Sequence, residues 1–394
     1  MNSSIGWIRF DQREYDQAAE ARALLTTPGS RDELGFAGIR DSFADAMFPG
    51  TSTIQTRMRY AIFVGWTYDR LIRLPSAELI KRGRNEEIET IRRLEKGRAG
   101  NGIIGSRAGE DLIRLPSMSY WTLLQQWRSA AIGDNLFPSR ITWMTMDPCE
   151  RKRWPLMSDT GPRSSFKQSM NFILPQTEID YLAERLAERE KGGSRSLFHE
   201  LLKGDARVTS EFPELADIVT DDVRNSEILR RARAFSELTW GASLAYNILL
   251  LEKRLRQARG SEKTVEEDEE LLESRRKDWL EWIETDRQTN ARMVTDPSFF
   301  SLPNCTGDKA IGFVNEWAGL SVTLTEPQGA AALISKREAS IKSRTQQRFS
   351  SQRALSRWGG ASDITAAAFR WPTARTFLRD LRAKGFPATT DEVA

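Results

Sequence analysis

Histidine and cysteine are the scarcest chemistry-bearing residues in this 394-residue chain: one histidine, His199, and two cysteines, Cys149 and Cys305. No Cys/His zinc site at the usual spacing can be assembled from these, and no disulfide framework is implied. Mechanisms that need several histidines are excluded. A Ser-His-Asp triad would have to use His199, which follows Phe198 in an ordinary amphipathic pattern. A Walker A loop and a G-x-G-x-x-G fingerprint are both missing. No apolar run approaches the ~18 residues of a membrane span. The opening, MNSSIGWIRFDQ, has neither a charged n-region nor a long apolar segment. The expectation is a reduced, cytoplasmic monomer with no metal, no cofactor and no membrane partner.

Lysine is scarce too. Of 58 basic residues 45 are Arg and 13 Lys, against 55 acids, so the net charge is only +3. Arginine forks suit phosphates and base edges better than lysine does; a GC-rich genome would give the same bias. Twelve Trp is a high count for one soluble chain. Most should be core, with a few left as stacking surfaces.

The spacing predicts a mainly α, multi-helix globular protein organised around residues 30–76. There a helix-hairpin-helix-like element is expected near 37–73: a first helix, the hairpin Phe48-Pro49-Gly50-Thr51-Ser52-Thr53, and a second helix from about Thr53 to Arg73. Ile39, Phe43, Ala46 and Met47 share one face of the first helix, and Asp41 and Asp45, one turn apart, project from another. Asp69 falls on the apolar stripe of the second helix with Ile54, Met58, Ile62, Gly65 and Ile72. A carboxylate on such a stripe is costly unless paired or used.

Elsewhere, capping signatures at Asp11, Ser30, Ser76, Ser117 and Thr177 mark further helix starts. The hexapeptide LIRLPS occurs at 71–76 and again at 112–117, which reads as a reused helix-to-helix joint. Gly100 to Arg107 holds three glycines and an arginine, either a tight turn or a nest of amides for a phosphate. Tyr120, Trp121, Leu124 and Trp127 form a stripe at helical spacing, either core or a base-stacking platform. Ile228 to Gln257 reads as one long, largely buried helix. The expected partition is a helical domain over 1–137, a basic loop or linker over 138–175 that includes RKRWP, and a helical domain over 176–394. In the last, an acidic helix at 262–286 (11 acids, 4 bases) precedes an Arg-rich tail from 336 (12 bases, 5 acids). Those two segments either pack together or leave the tail to track a DNA backbone.

The segments RDELGFAGIRDSFADAMFPGTSTIQTRMRYAIFV, GIIGSRAGEDLIRLPS and FRWPTARTFL together resemble a bacterial family long catalogued without a function, whose members occur in phage-defence neighbourhoods. That family is similar to anti-phage DNA glycosylases that excise glucosylated hydroxymethylcytosine. The resemblance implies a monofunctional glycosylase that leaves an abasic site in double-stranded phage DNA. FPGTS is also similar to the L-P-G-V-G hairpin of helix-hairpin-helix glycosylases, which grips a DNA phosphate through backbone amides. Their catalytic aspartate follows about twenty residues later, where Asp69 stands here. Ser52 replaces the hairpin's second glycine, and no lysine occupies the Schiff-base position, so lyase chemistry is not expected.

Cleaving an N-glycosidic bond needs a carboxylate to stabilise an oxocarbenium-like sugar and to steer water, with the base flipped out of the stack. The catalytic candidates are Asp41, Asp45 and Asp69. DNA contacts fall to Gly50, Thr51, Ser52, Thr53, Gln55, Arg57, Arg59, Arg107, Arg375 and Arg379, and the base pocket to Trp66, Tyr68, Tyr120 and Trp121. The plain alternative makes Asp41 and Asp45 solvated and Asp69 a structural partner. Two other classes stay open: a non-catalytic DNA-binding subunit, and a nuclease holding Mg²⁺ on Asp41 and Asp45.

Overall fold

A computed structural model describes residues 32–132, 137–157, 170–187, 196–203, 212, 222–257, 262–302, 305, 307–362 and 365–385. The helices begin with α1 (Ala37–Met47), α2 (Tyr60–Arg70), α3 (Ser76–Lys96), α4 (Pro116–Ile132), α5 (Arg140–Thr145) and α6 (Pro148–Arg151). They continue with α7 (Gln176–Ala187), α8 (Leu197–Lys203), α9 (Val223–Arg256), α10 (Glu262–Ile283) and α11 (Arg287–Val294). The last are α12 (Asp308–Ser321), α13 (Ala331–Ile341), α14 (Gln352–Ser356) and α15 (Trp371–Gly385). The protein is mainly α, as its periodicities predict, and no strand occurs among the described residues. None of their helices is long and apolar enough to cross a membrane. The capping signatures at Asp11 and Ser30 lie outside the described residues.

The chain forms two compact units that are not successive blocks of sequence. One comprises residues 1–40 and 234–367, the other 41–233 and 368–394. The described residues of the segment 138–175, expected as a linker, fall in the second. Both α1 and α9 run through a unit boundary without a break, which is why no Pro- or Gly-rich junction marks those positions in the sequence.

In the 41–233/368–394 unit, α2 is the buried element, with Tyr60 to Tyr68 all buried, and it packs on α3 and α4. Apolar residues on every side let burial outweigh the modest helix propensity of Ile62, Phe63 and Val64. This helix starts at Tyr60, not at Thr53. The segment between is held irregular by side chains that take its backbone amides, described below. The two LIRLPS copies are joints, but neither serine caps as expected. Pro75 precedes α3 with no side-chain cap, and Ser117 is already the second residue of α4. The first copy is organised by Arg151, whose guanidinium donates to the carbonyls of Ile72, Leu74, Trp143, Met144 and Met146 and to the Ser76 hydroxyl. Arg151 of the RKRWP segment is fully buried, so it is a structural cation rather than a DNA contact. The second copy is held by Arg84, which donates to the Leu112 carbonyl at 2.8 Å, and by Glu87, which accepts the Ser117 amide at 2.7 Å.

In the 1–40/234–367 unit, α9 supplies the core through Ala242, Leu244, Ala245, Ile248, Leu250 and Leu251. Gly241 is required there: a Cβ would lie 2.0 Å from the Trp282 indole. The acidic helix α10 and the following segment meet through Arg254, which pairs with Asp268 and donates to the Trp358 carbonyl. Asp268 is thus paired with a cation of α9, not with one from the Arg-rich tail.

A buried polar network lies in the same unit. The Tyr246 hydroxyl donates to Glu338 at 2.6 Å and accepts from Lys342 and Arg348, at 2.8 and 2.9 Å. Arg348 and Lys342 both pair with Glu33, and Glu338 also accepts the Phe349 amide. Burial alone would raise the Glu338 carboxyl. The Phe349 amide, the Tyr246 hydroxyl and Lys342 outweigh it and hold the group below its ordinary 4.5. Because the folded value lies below the unfolded one, this stabilisation is present above about pH 4.5 and is lost as pH falls through the folded value. Glu338→Gln is therefore expected to cost about 3–5 kcal/mol at pH 7, with the gap to wild type narrowing at pH 3. Denaturant titration at both pH values measures this, and an equal gap at both would show that the charge is irrelevant.

Candidate active site on the Asp41–Asp45 face

Helix α1 is started by Asp32, whose carboxylate accepts the Phe36 and Ala37 amides at 2.7 and 2.6 Å, satisfying two orphan donors of the first turn. Ile39, Phe43, Ala44 and Met47 are fully buried; Ala46, expected on that face, is only partly so. That orientation turns Asp41 and Asp45 outward, with side chains 51% and 42% exposed. The helix stops at Phe48-Pro49-Gly50. Gly50 has φ +76°, and a Cβ there would approach the Leu123 Cα to 2.7 Å, so only glycine fits.

The FRWPT segment meets this corner. Phe369 and Arg370 have φ of 45° and 64°, a left-handed conformation costly for residues with a Cβ. Phe369 is buried, with ring centroids 5.7 Å from Phe43 and 4.8 Å from Phe212. Trp371 packs 5.8 Å from Phe48. Anchoring both flanking rings forces the turn and aims Arg370 outward. Its Nη1 donates to Asp45 at 2.5 Å and to the Thr51 carbonyl at 2.9 Å, and its Nη2 lies 3.5 Å from Asp41. Thr373 donates to the Ser52 carbonyl at 3.1 Å. The result is two half-exposed carboxylates one turn apart, bracketed by one guanidinium in a strained turn.

Residues 2–385 match the model of a family of unknown function, DUF6361. The chain belongs to that family. No curated protein and no solved structure matches it.

In this DUF6361 protein the other candidate residues are placed differently from expectation. Four of the hairpin's amides are paired internally. The Thr51 amide donates to the Phe48 carbonyl, Ser52 to Gln55 Oε1, Ile54 to Ser52 Oγ and Gln55 to the Ser52 carbonyl. The amides of Thr56 and Arg57 both reach the Tyr120 hydroxyl, at 2.9 and 3.0 Å, and Met58 donates to Asp380. Gln55 is buried, its Nε2 donating to the carbonyls of Gly50 and Ser119. These amides are already paired within the protein. Thr53 is exposed at the tip.

Arg57 is bidentate to Asp380 and Arg59 to Glu178, so both charges are committed within the protein. Trp66, Tyr68, Tyr120 and Trp121 are buried. Tyr68 donates to Glu87 at 2.7 Å and Tyr120 to the Arg57 carbonyl. All four lie in the core. Burial pushes the Glu87 carboxyl up, opposed by the Tyr68 hydroxyl and the Ser117 amide. Arg107 is exposed in a loop where Gly100, Gly102 and Gly105 all have positive φ. The Ile104 amide of that loop donates to Tyr60 and its Gly102 carbonyl accepts from Thr56. Arg379 is exposed on α15 and Arg375 is half-buried.

Asp69 is an anchor. Its two oxygens accept the Leu156 and Met157 amides, each at 2.7 Å. Asp69→Asn keeps one acceptor and turns an amide N–H group toward the other donor. The expected cost is roughly 1.5–3 kcal/mol of stability, read from the denaturant midpoint.

Proposed function

We propose that this chain is a monofunctional DNA glycosylase in which Asp41 and Asp45 are the catalytic carboxylates. The observation that carries the proposal is their pairing with Arg370 in a strained turn: half-exposed acids held in place at a cost in backbone energy. The substrate class, a glucosylated hydroxymethylcytosine in double-stranded phage DNA, is carried over from the family resemblance, as is the cytoplasmic setting. One carboxylate stabilises the developing oxocarbenium-like sugar, and the other, about 5–6 Å away at Cβ as i, i+4 neighbours are, orients the attacking water. Arg370 holds their rotamers. The same guanidinium stands where a shared Mg²⁺ would have to sit, which favours the glycosylase over the nuclease reading.

The test uses phage DNA carrying the modified cytosine, incubated with the protein in EDTA, with released base measured by mass spectrometry. The wild-type chain should release base and leave alkali-labile sites. Asp41→Asn and Asp45→Asn keep the shape and remove the charge. At least one should lower the rate about 10²–10³-fold, equivalent to roughly 3–4 kcal/mol, while folding and DNA affinity persist. DNA binding without base release would identify a non-catalytic binding subunit. Wild-type rates in both variants would remove these aspartates from the chemistry.

A further inference from the structure

Four arginines are buried among the described residues, and burying a guanidinium is costly unless its charge and its N–H groups are answered. Arg348 and Arg185 each meet a carboxylate, of Glu33 and Glu184. Arg151 instead gives all three of its nitrogens to carbonyl and hydroxyl oxygens, in six hydrogen bonds. Arg337 on α13 has neither solution. Its Nε, Nη1 and Nη2 donate one hydrogen bond each, to the carbonyls of Leu34, Lys309 and Gly35 at 2.7, 3.0 and 3.3 Å. A guanidinium carries five N–H groups, so one is left on each terminal nitrogen. Asp32 supports the charge only through space, its oxygens being on the Phe36 and Ala37 amides. Burial accordingly pulls the Arg337 pKa down.

Arg337 lines a groove of about 250 Å³ between α12 and α13. The apolar lining is Phe313, whose ring centroid lies 5.3 Å from the guanidinium carbon, and Leu333, one turn before Arg337. Lys309 and Lys336 line it as exposed cations, and Lys336 lies 4.0 Å from Glu316. Gly312 completes the wall of α12. Glycine weakens a helix interior, yet a Cβ on Gly312 would meet nothing within 4 Å. No neighbour requires the missing side chain; its absence keeps the groove wide. The guanidinium is also held in place before anything binds. Gly35, at φ +75°, has no side chain where Nη2 lies, 2.6 Å from the position of a Cβ.

We propose that this groove binds a small organic monoanion, a carboxylate carrying an apolar body. The carboxylate takes the two remaining N–H groups of Arg337, one on each terminal nitrogen, a fork suited to bidentate pairing. The apolar body lies on Phe313 and Leu333. One buried cation suits a single negative charge better than it suits phosphate. The groove belongs to the 1–40/234–367 unit, whereas Asp41 and Asp45 belong to the other, so the proposal does not rest on the glycosylase reading.

Isothermal titration calorimetry of the full chain with phenylbutyrate, its neutral analogue phenylbutanol and inorganic phosphate tests this. Phenylbutyrate should bind once per chain. The alcohol should bind at least about tenfold more weakly, as expected when a charged hydrogen bond is removed. Arg337 anchors three carbonyls, so replacing it would confound folding with binding. Gly312→Leu avoids that difficulty, because it puts a better helix former where nothing is in the way and fills the groove. It should keep or raise the melting temperature while weakening phenylbutyrate about tenfold or more. Lys336→Ala, which changes only an exposed cation, should stay within about twofold of wild type. Equal affinity for acid and alcohol would reduce the groove to an apolar patch. Phosphate binding more tightly than phenylbutyrate, or a large loss in Lys336→Ala, would take the anion away from Arg337. No binding of phenylbutyrate at millimolar concentration, or unchanged affinity in Gly312→Leu, would equally overturn the proposal.

Discussion

Helix α15 clamps the segment that leaves the hairpin, and the geometry of the candidate site depends on that clamp. Asp380 takes both the Arg57 guanidinium and the Met58 amide, Thr373 takes the Ser52 carbonyl, and Arg370 takes Thr51 and Asp45. Without these partners, residues 51–59 would have a row of amides to satisfy and a simple way to satisfy them, by extending α2 toward its N-terminus. An unmade buried hydrogen bond costs more than a made one contributes. Which partners are available therefore decides whether this segment is helix or irregular loop. Asp380 is buried, so its pair with Arg57 also needs both members: removing either would strand a charge.

That dependence explains what the sequence does and does not reveal. The buried stripe of α1 through Ile39, Phe43 and Met47 follows from local periodicity, as does the outward projection of Asp41 and Asp45. The mainly helical class follows in the same way. The start of α2 does not, because the groups that hold 51–59 open, Tyr120 and Asp380, lie 63 and 322 residues or more from the amides and side chain they hold. Arg370 has the same difficulty. Its segment, FRWPT, is legible as a helix start from Pro372, but a partner 325 residues away leaves no local trace. The burial of the four aromatic residues is not legible for a related reason: a Tyr or Trp at helical spacing looks identical whether it faces core or cleft. Asp69 was the informative exception. A carboxylate on an apolar stripe demands a use, and the structure supplies one in the Leu156 and Met157 amides.

Rigidity at the site has a definite origin. Phe369 and Trp371 are each held by ring packing on either side of Arg370, so the left-handed turn is over-determined by burial and its strain is sustained by the surrounding core. Gly50 does the equivalent on the hairpin side, where backbone passes too close to α4 for any side chain. Carboxylates mounted on a regular helix and oriented by such a turn need little reorganisation when charge develops in front of them, the condition under which fixed charges lower a barrier most.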